Sequence, residues 1–286
     1  MFYHVLKHHT PKPDPIILKK GQEIITGEED QRWKNWVNCS TSDGCQQGWV
    51  PEQIIQGSGL NARVTEDYDA TELAVTAGET LVSERELNQW LWCHNKKRQY
   101  GWVPVENVTP FHLSVDEEVE LRLPRRADAK LQYQLVDRNR AYLRQWLAWV
   151  DGTTSAEIME EVIVTTLKQA EKNQAIRAGI WYKDELVGII GHHHIDWNNR
   201  HTSIGYWLSQ DYTGKGIMTR ACEALVNFSL RDLGLHRVEI RCAEENVNSR
   251  AIPERLGFIK EGLLREVEWL HDHYVDHVVY SKLSGE

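Results

Sequence analysis

Residues 204–219, Ile-Gly-Tyr-Trp-Leu-Ser-Gln-Asp-Tyr-Thr-Gly-Lys-Gly-Ile-Met-Thr, constrain this chain more than any other stretch. They read as a strand that stops at a glycine loop and feeds directly into a helix. Ile217, Ala221 and Leu225, with Met218, Cys222 and Val226 beside them, repeat at helical spacing. Gly214 and Gly216 let the backbone turn tightly and approach an anion with no Cβ in the way. Unpaired N–H groups at the helix start, with the aligned dipole, favour a pyrophosphate, and Lys215 adds a charge. Thirty residues on, Asn246-Val-Asn-Ser249 opens a short helix that closes on Leu256-Gly257-Phe258. A Gly-Lys-Gly turn alone is often only the start of a helix. It is not a Walker A loop, because no Lys-Ser/Thr pair follows, and Thr219 stands where a G-x-G-x-x-G fingerprint needs glycine.

The 286 residues can hold two or three domains. A net charge of −9 argues against nonspecific binding to nucleic acid or an anionic membrane. Cys39, Cys45, Cys93, Cys222 and Cys242 are scattered with no CxxC pair, so no zinc site is expected. His192-His-His194 supplies two histidines on one strand face and no third ligand, so no metal is expected there either. His271 and His273, beside Asp272, read as a polar turn. No apolar run is long enough for a signal peptide core or a membrane span, which makes a reducing cytoplasm the expectation.

Six of the twelve tryptophans fall in the first 110 residues, and an internal duplication accounts for them. Gly48-Trp-Val-Pro51 recurs as Gly101-Trp-Val-Pro104, and Trp36-Val-Asn-Cys39 is echoed by Trp90-Leu-Trp-Cys93. Short β-branched and aromatic runs punctuated by Gly, Asn and Asp suit small all-β barrels. The residues resemble Src-homology-3 (SH3) domains, the second copy more closely: Val64-Thr-Glu-Asp-Tyr68, Glu72-Leu-Ala-Val75, Gly78-Glu79, Trp90, Gly101–Pro104 and Val108 follow the family's order. The expected division is one degenerate SH3-like barrel over 1–57, a second over 58–110, and a linker over 111–119. The resemblance implies a groove for polyproline peptides. Trp90 and Pro104 match that groove, but Glu66 and Asn107 replace its usual tyrosines. A peptide-binding role and a role as plain barrel core carry equal weight here.

From Glu120 the pattern alternates between helices and strands, as an α/β mixed sheet does. A strand at 121–123 precedes helical regions at 129–150 and 155–172, with breaker and cap residues at 151–154. A hairpin over 176–182 and 185–195 turns at Lys183-Asp184. A strand at 202–208, a helix over 217–233, a strand at 236–242, a short helix, and strands near 266–270 and 276–282 complete it. Pro253 falls in the short helix, where a place near the first turn would make it tolerable.

Residues 120–286 resemble the GNAT superfamily of N-acetyltransferases, in its RimJ/RimL-type branch of ribosomal-protein N-terminal acetyltransferases. The carrying residues are Ile204–Leu208, Asp211–Gly216, Asn246 with Ser249, and Glu254-Arg-Leu-Gly-Phe258. The wider superfamily begins its loop with Gln or Arg; Asp211 at that position is similar to the RimJ/RimL branch. The resemblance implies acetyl-CoA as cosubstrate. It implies a loop of Thr213, Gly214, Lys215, Gly216, Ile217, Met218 and Thr219 around the pyrophosphate. Trp207, Leu208 and Ser209 would pair with the pantetheine arm through main-chain hydrogen bonds, and N–H groups near Trp207 and Leu208 would face the thioester carbonyl. Asn246 would bond a pantetheine amide, and Ser249 would sit beside the sulfur, where it could protonate the leaving thiolate. For both, helix capping is the plain alternative. Glu268 stands where RimL-like enzymes carry an acidic base; a solvated strand carboxylate has equal weight. Cys222 and Cys242 fall on core-facing positions.

Transfer needs a neutral amine, and an α-amino group, at about pKa 7.7–8.0, is partly neutral at cellular pH, whereas lysine at about 10.4 is not. A modest general base is therefore enough for an N-terminal amine, and the resemblance implies a protein N-terminus as the acceptor, with the barrels recruiting the target. A polyamine or aminoglycoside acceptor is a second reading, and an acetyl-CoA-sensing adaptor a third. The resemblance also admits a homodimer.

Overall fold

The computed structural model describes residues 1–286 and divides into two units, Met1–Pro110 and Phe111–Glu286. The first unit is all β. Its strands are β1 (Phe2–Val5), β2 (Ile17–Leu18), β3 (Glu23–Glu29), β4 (Trp36–Thr41), β5 (Gln47–Pro51), β6 (Ile55–Gln56), β7 (Ala62–Val64), β8 (Tyr68–Asp69), β9 (Thr80–Leu87), β10 (Trp90–His94), β11 (Tyr100–Pro104) and β12 (Val108–Pro110). One sheet runs β5-β4-β3-β7-β6, another β11-β10-β9-β1-β12, and β2 pairs with β8.

The strands partition differently from the expected 1–57 and 58–110 division. Strand β1 lies between β9 and β12, with Tyr3 opposite both Leu81 and Pro110. Strand β7, from beyond residue 57, pairs with β3 and β6. Unpaired strand edges are a liability, and each sheet covers one with a segment from the far side of the expected boundary.

Tryptophans join the two sheets. Trp90 meets Trp33 and Trp36 edge-to-face at 5.6 and 6.2 Å, and Trp36 meets Trp102 at 6.2 Å. Trp102 belongs to the same buried cluster as Ile16, Leu18, Ile24 and Val50 of the first repeat. The Trp36 indole N–H donates to the Asn88 carbonyl at 3.2 Å. Asn107 is buried; its amide donates to the His8 carbonyl at 3.4 Å, and its own carbonyl accepts from Leu6 and Lys7. Glu66 pairs with Arg85 at 2.7 Å. Of the two residues at SH3 tyrosine positions, Asn107 thus ties the N-terminal segment to the unit, while Glu66 makes a half-exposed ion pair.

The second unit contains β13 (His112–Ser114), β14 (Val119–Arg122), α1 (Ala129–Arg138), α2 (Arg140–Leu143), α3 (Ala156–Glu171), β15 (Arg177–Tyr182), β16 (Glu185–Asp196), β17 (His201–Leu208), α4 (Ile217–Asn227), β18 (Arg237–Ala243), α5 (Val247–Arg255), β19 (Ile259–Leu270) and β20 (His273–Leu283). Eight strands form one sheet in the order β13-β14-β15-β16-β17-β18-β20-β19. The segment expected as a linker carries β13, paired to β14 with Leu113 opposite Leu121. The hairpin at Lys183-Asp184 forms as expected, both residues left-handed with φ of 50° and 63°. The helical stretch 129–150 breaks at Asn139, whose amide donates to the Leu135 carbonyl. Helix α4 widens into a π turn over Phe228–Asp232 before the chain turns at Gly234, φ 67°.

Only β17 and β18 run parallel, joined by the α4 crossover. Their pairing ends at Ile204 opposite Ile240, although β17 continues to Leu208 and β18 to Ala243. Beyond that point the strands diverge and leave a cleft. Side chains alternate across a sheet: Tyr206 reaches α5, while Trp207 packs with Val136, Leu143 and Ile163 of α1, α2 and α3. The two helix groups therefore cover opposite faces, and the cleft opens between them.

Candidate active site

The glycine loop forms the lip of the cleft. Gly214 and Gly216 adopt φ of 75° and 72°, and a Cβ at either would meet no atom within 4 Å. Glycine is needed there for backbone conformation, and the space in front is open. The first helical bond of α4 runs from Arg220 N–H to the Gly216 carbonyl, so the N–H groups of Ile217, Met218 and Thr219 have no partner within the helix. The side chains of Ile217 and Met218 are buried, leaving their N–H groups as what they offer. Lys215 lies over the Tyr212 ring at 4.7 Å. Arg255 of α5, part of the Glu254–Phe258 motif but given no role from sequence, donates to the Thr219 hydroxyl at 2.7 Å and adds a second cation beside the loop. Thr213 turns its hydroxyl back onto the Gln210 carbonyl at 2.8 Å. Open glycines, unpaired helix N–H groups and two cations fit a pyrophosphate.

Strand β17 presents alternate main-chain groups to the cleft. Ser209 N–H donates to the Val187 carbonyl of β16 at 2.8 Å, and the register pairs Trp207 with Ile189 and Leu208 with Gly188. In an antiparallel pair the bonded residues alternate, so Trp207 and Ser209 direct their main chains to β16. Tyr206 and Leu208 direct theirs into the cleft. The expectation that all three of Trp207, Leu208 and Ser209 bond a ligand through the main chain thus narrows to Leu208, joined by Tyr206. Ser209 serves differently: its hydroxyl donates to Asn139 Oδ1 at 3.2 Å, and Gln210 N–H to the same oxygen at 2.9 Å.

Asn246 and Ser249 come together at the start of α5 on the cleft's other side. Asn246 Oδ1 accepts from Ser249 N–H at 3.1 Å, an N-cap that leaves the amide's donors uncommitted to the cap. Ser249 Oγ lies 3.3 Å from Cys242 Sγ. Burial pushes the Cys242 thiol up from its usual value, so it is a neutral neighbour of Ser249 rather than a nucleophile. Pro253 is the seventh of nine residues in α5, not near the first turn as expected. It has no N–H for the Ser249 carbonyl four residues back. The Tyr206 hydroxyl donates to that carbonyl instead, at 3.0 Å. Burial, then the Cys242 and Cys222 thiols, hold this phenol far above its usual pKa, so it stays a donor.

The opposite face carries the remaining groups. Trp207 and Trp149 meet at 6.2 Å. Glu268 follows a bulge in β19, where Glu266 takes φ 50°, and its Oε2 lies 2.9 Å from Nε2 of His277. Bulges re-aim side chains beside active sites. A groove of about 360 Å³ lies between α2 and the β19–β20 turn, lined by Arg144, Gln145, Leu270, His271, Asp272 and His273. His271 ties the two walls, meeting the Arg144 carbonyl at 2.7 Å and Asp151 at 3.2 Å. The histidine run separates: His192 is wholly buried against the Ser229 hydroxyl at 2.8 Å, and His193 meets Ser203 at 3.1 Å.

A parallel strand pair that splays beside a glycine-lined helix N-terminus, with a short Asn-capped helix opposite, is the architecture of an acetyl-CoA-dependent N-acetyltransferase. Residues 118–259 match the acetyltransferase (GNAT) domain family, and residues 62–111 match the variant SH3 domain family. The chain belongs to the GNAT acetyltransferases, and acetyl-CoA is its acyl donor. It is 36% identical over 178 residues to the Bacillus subtilis (strain 168) protein YdaF, covering 62% of this chain and 97% of that one. It is 32% identical over 171 residues to the ribosomal-protein-serine acetyltransferase of Escherichia coli (strain K12), covering 60% of this chain and 96% of the relative. Among solved structures it resembles RimL, the ribosomal L7/L12 α-N-protein acetyltransferase, in complex with coenzyme A. There the TM-score is 0.59 at 28% identity, over 60% of this chain and 98% of the other.

Proposed function

We propose that this enzyme acetylates the α-amino group of a protein N-terminus, of the ribosomal-protein kind. One observation carries the reading: the second unit aligns with nearly the whole of a relative named for acetylating a ribosomal-protein serine, at 32% identity. The groove between α2 and the β19–β20 turn supports it, because it opens at the surface and suits a chain end. In this reading Gly214, Lys215, Gly216 and the N–H groups of residues 217–219 hold the pyrophosphate, with Arg255 beside Thr219. Main-chain groups of Tyr206 and Leu208 pair with the pantetheine arm, and Leu208 N–H faces the thioester oxygen. Asn246 bonds a pantetheine amide and Ser249 faces the sulfur, positioned to protonate the thiolate. Glu268 belongs to the machinery that removes the amine proton. Transfer is direct.

The first unit, on this reading, is a fused pair of SH3-like barrels that recruits the target. The Trp33–Trp36–Trp90 packing favours a recruiting surface other than the polyproline groove. We place the reaction in the cytoplasm, where Cys39, Cys93, Cys222 and Cys242, all free and buried, remain reduced. A homodimer also fits: edge strand β19 exposes Ile259, Leu263, Val267 and Trp269, and sedimentation decides it.

Thiol release from acetyl-CoA, measured against N-terminal peptides, spermidine and an aminoglycoside, tests the acceptor. Full-length protein is compared with a chain starting at Phe111, which keeps β13. Peptide turnover that drops on truncation supports the proposal. Turnover of small amines alone would replace it with metabolite or drug modification, and acetyl-CoA binding with no turnover would leave an adaptor.

A further inference from the structure

We propose that His277 is the proton acceptor in acetyl transfer and that Glu268 positions it; this rests on the N-acetyltransferase reading of the site above. Register places the pair. Strand β20 sets His277 opposite Ala243, in the part of β18 that borders the cleft, and opposite Leu264 of β19. Glu268 stands opposite Val275, two residues from His277, so the two share a face. That face is turned away from α5, because Tyr280 and Val278, on the alternate positions, stand opposite Ile240 and Cys242, and Tyr280 contacts Arg250 and Glu254 of α5. It is therefore the side of the sheet that Trp207 shares, where an acceptor amine approaches.

Distance separates the two roles. Neighbouring strands lie about 4.8 Å apart. Glu268, on β19, is set back roughly 10 Å, two strand spacings, from the strand at the cleft. His277 stands one spacing away, between them. Its Nε2 lies 2.9 Å from Glu268 Oε2, with the histidine side chain 17% exposed and the carboxylate 39% exposed. A carboxylate can only accept, so Nε2 carries the hydrogen and Nδ1 carries the lone pair. A histidine held in one tautomer by a carboxylate is the arrangement a general base needs. Other charged groups on this face pair among themselves: Glu239 of β18 with Arg241 at 2.6 Å and with Arg237 at 2.9 Å, and Arg237 in turn with Glu261 of β19.

The step balances as follows. The amine enters neutral and its nitrogen bonds to the carbonyl carbon of the acetyl group. An N–H proton passes from that nitrogen to Nδ1 of His277. The C–S bond then breaks with its electron pair leaving on sulfur. The thiolate takes a proton from Ser249 Oγ, which is reprotonated by solvent, and the imidazolium of His277 releases its own to solvent.

The test uses full-length protein with a peptide acceptor, thiol release from pH 6 to 9.5, and separate calorimetry of acetyl-CoA binding. His277→Asn is expected to lower kcat/KM about 100-fold at pH 7, with acetyl-CoA affinity unchanged. The gap should narrow as pH rises and hydroxide replaces the missing base. Glu268→Gln should lose about tenfold, within the usual range for a supporting group, and the double variant should be no worse than His277→Asn. His277→Gln, which keeps a donor toward Glu268 but no titrating nitrogen, must show the same loss while still binding acetyl-CoA. His277 variants within threefold of the unaltered enzyme, or Glu268→Gln losing more than His277→Asn, overturn the proposal. Turnover of spermidine but not peptides by the unaltered enzyme would instead remove the acceptor reading, and the same variants on spermidine would decide His277.

Discussion

Replacing Tyr206 by Phe removes one oxygen and should loosen the start of α5. Pro253 has no N–H, so the Ser249 carbonyl depends on the Tyr206 hydroxyl at 3.0 Å. Leaving a buried acceptor unpaired costs about 1–3 kcal/mol. Ser249 is only partly buried, which puts the expectation at about 1–2 kcal/mol. For a unit of this size each kcal/mol moves Tm by about 2–4 °C, so the melting temperature of the second unit should fall by roughly 2–8 °C. The same change frees the turn that carries Asn246 and Ser249, so kcat should drop as well. Pro253→Ala supplies an N–H in the position that α-helical bonding requires. In the Tyr206→Phe background it should therefore recover stability that it does not add to the unaltered protein. A double-mutant cycle by urea denaturation measures this, with an expected coupling of at least about 1 kcal/mol. A coupling below about 0.3 kcal/mol, within the additivity expected of independent sites, would refute the assignment of Tyr206 as substitute donor.

Gly216→Ala forces a Cβ onto a left-handed residue at a cost of about 1–2 kcal/mol; acetyl-CoA affinity should weaken about tenfold by calorimetry, with the amine KM little changed. His192 is held neutral, its pKa pushed down to about 3 by burial and then by His193. The unfolded chain binds that proton at about 6.5, so stability contributed above that pH is lost as pH falls, by up to about 1.4 kcal/mol per unit. Denaturation between pH 6.5 and 4.5 should show this slope, and His192→Gln should flatten it. Trp90→Ala opens the aromatic cluster of the first unit and should cost about 3–5 kcal/mol there, seen as early loss of near-UV dichroism; loss of peptide binding without loss of stability would speak for a free groove.

What could be read from sequence was local. The glycine loop, the Asn246–Ser249 cap and the Lys183-Asp184 hairpin each span a few residues whose backbone preferences act on their immediate neighbours. The resemblance added the family and with it the roles proposed for Thr213–Thr219, Asn246, Ser249 and Glu268. Pro253 was visible too, but its position within the helix was misjudged because helix ends are set by bonds that composition does not reveal.

The tertiary structure decided everything that depends on residues far apart in the chain. Tyr206 and Ser249 are 43 residues apart, and only the divergence of β17 from β18 brings the hydroxyl to the proline's orphaned carbonyl. The main-chain alternation that turns Leu208 toward the cleft and Ser209 away is a matter of register with β16. Likewise β1 completes a sheet with strands some eighty and more than a hundred residues later, against the expected boundary at 57. His277 carried no motif; it acquires meaning from a bulge in β19 that brings Glu268 onto its face. By itself the sequence determined the class of enzyme, because the resemblance rests on short motifs whose backbone preferences are local. Pairing and register, which arise only when distant strands meet, decided which atoms face the cleft.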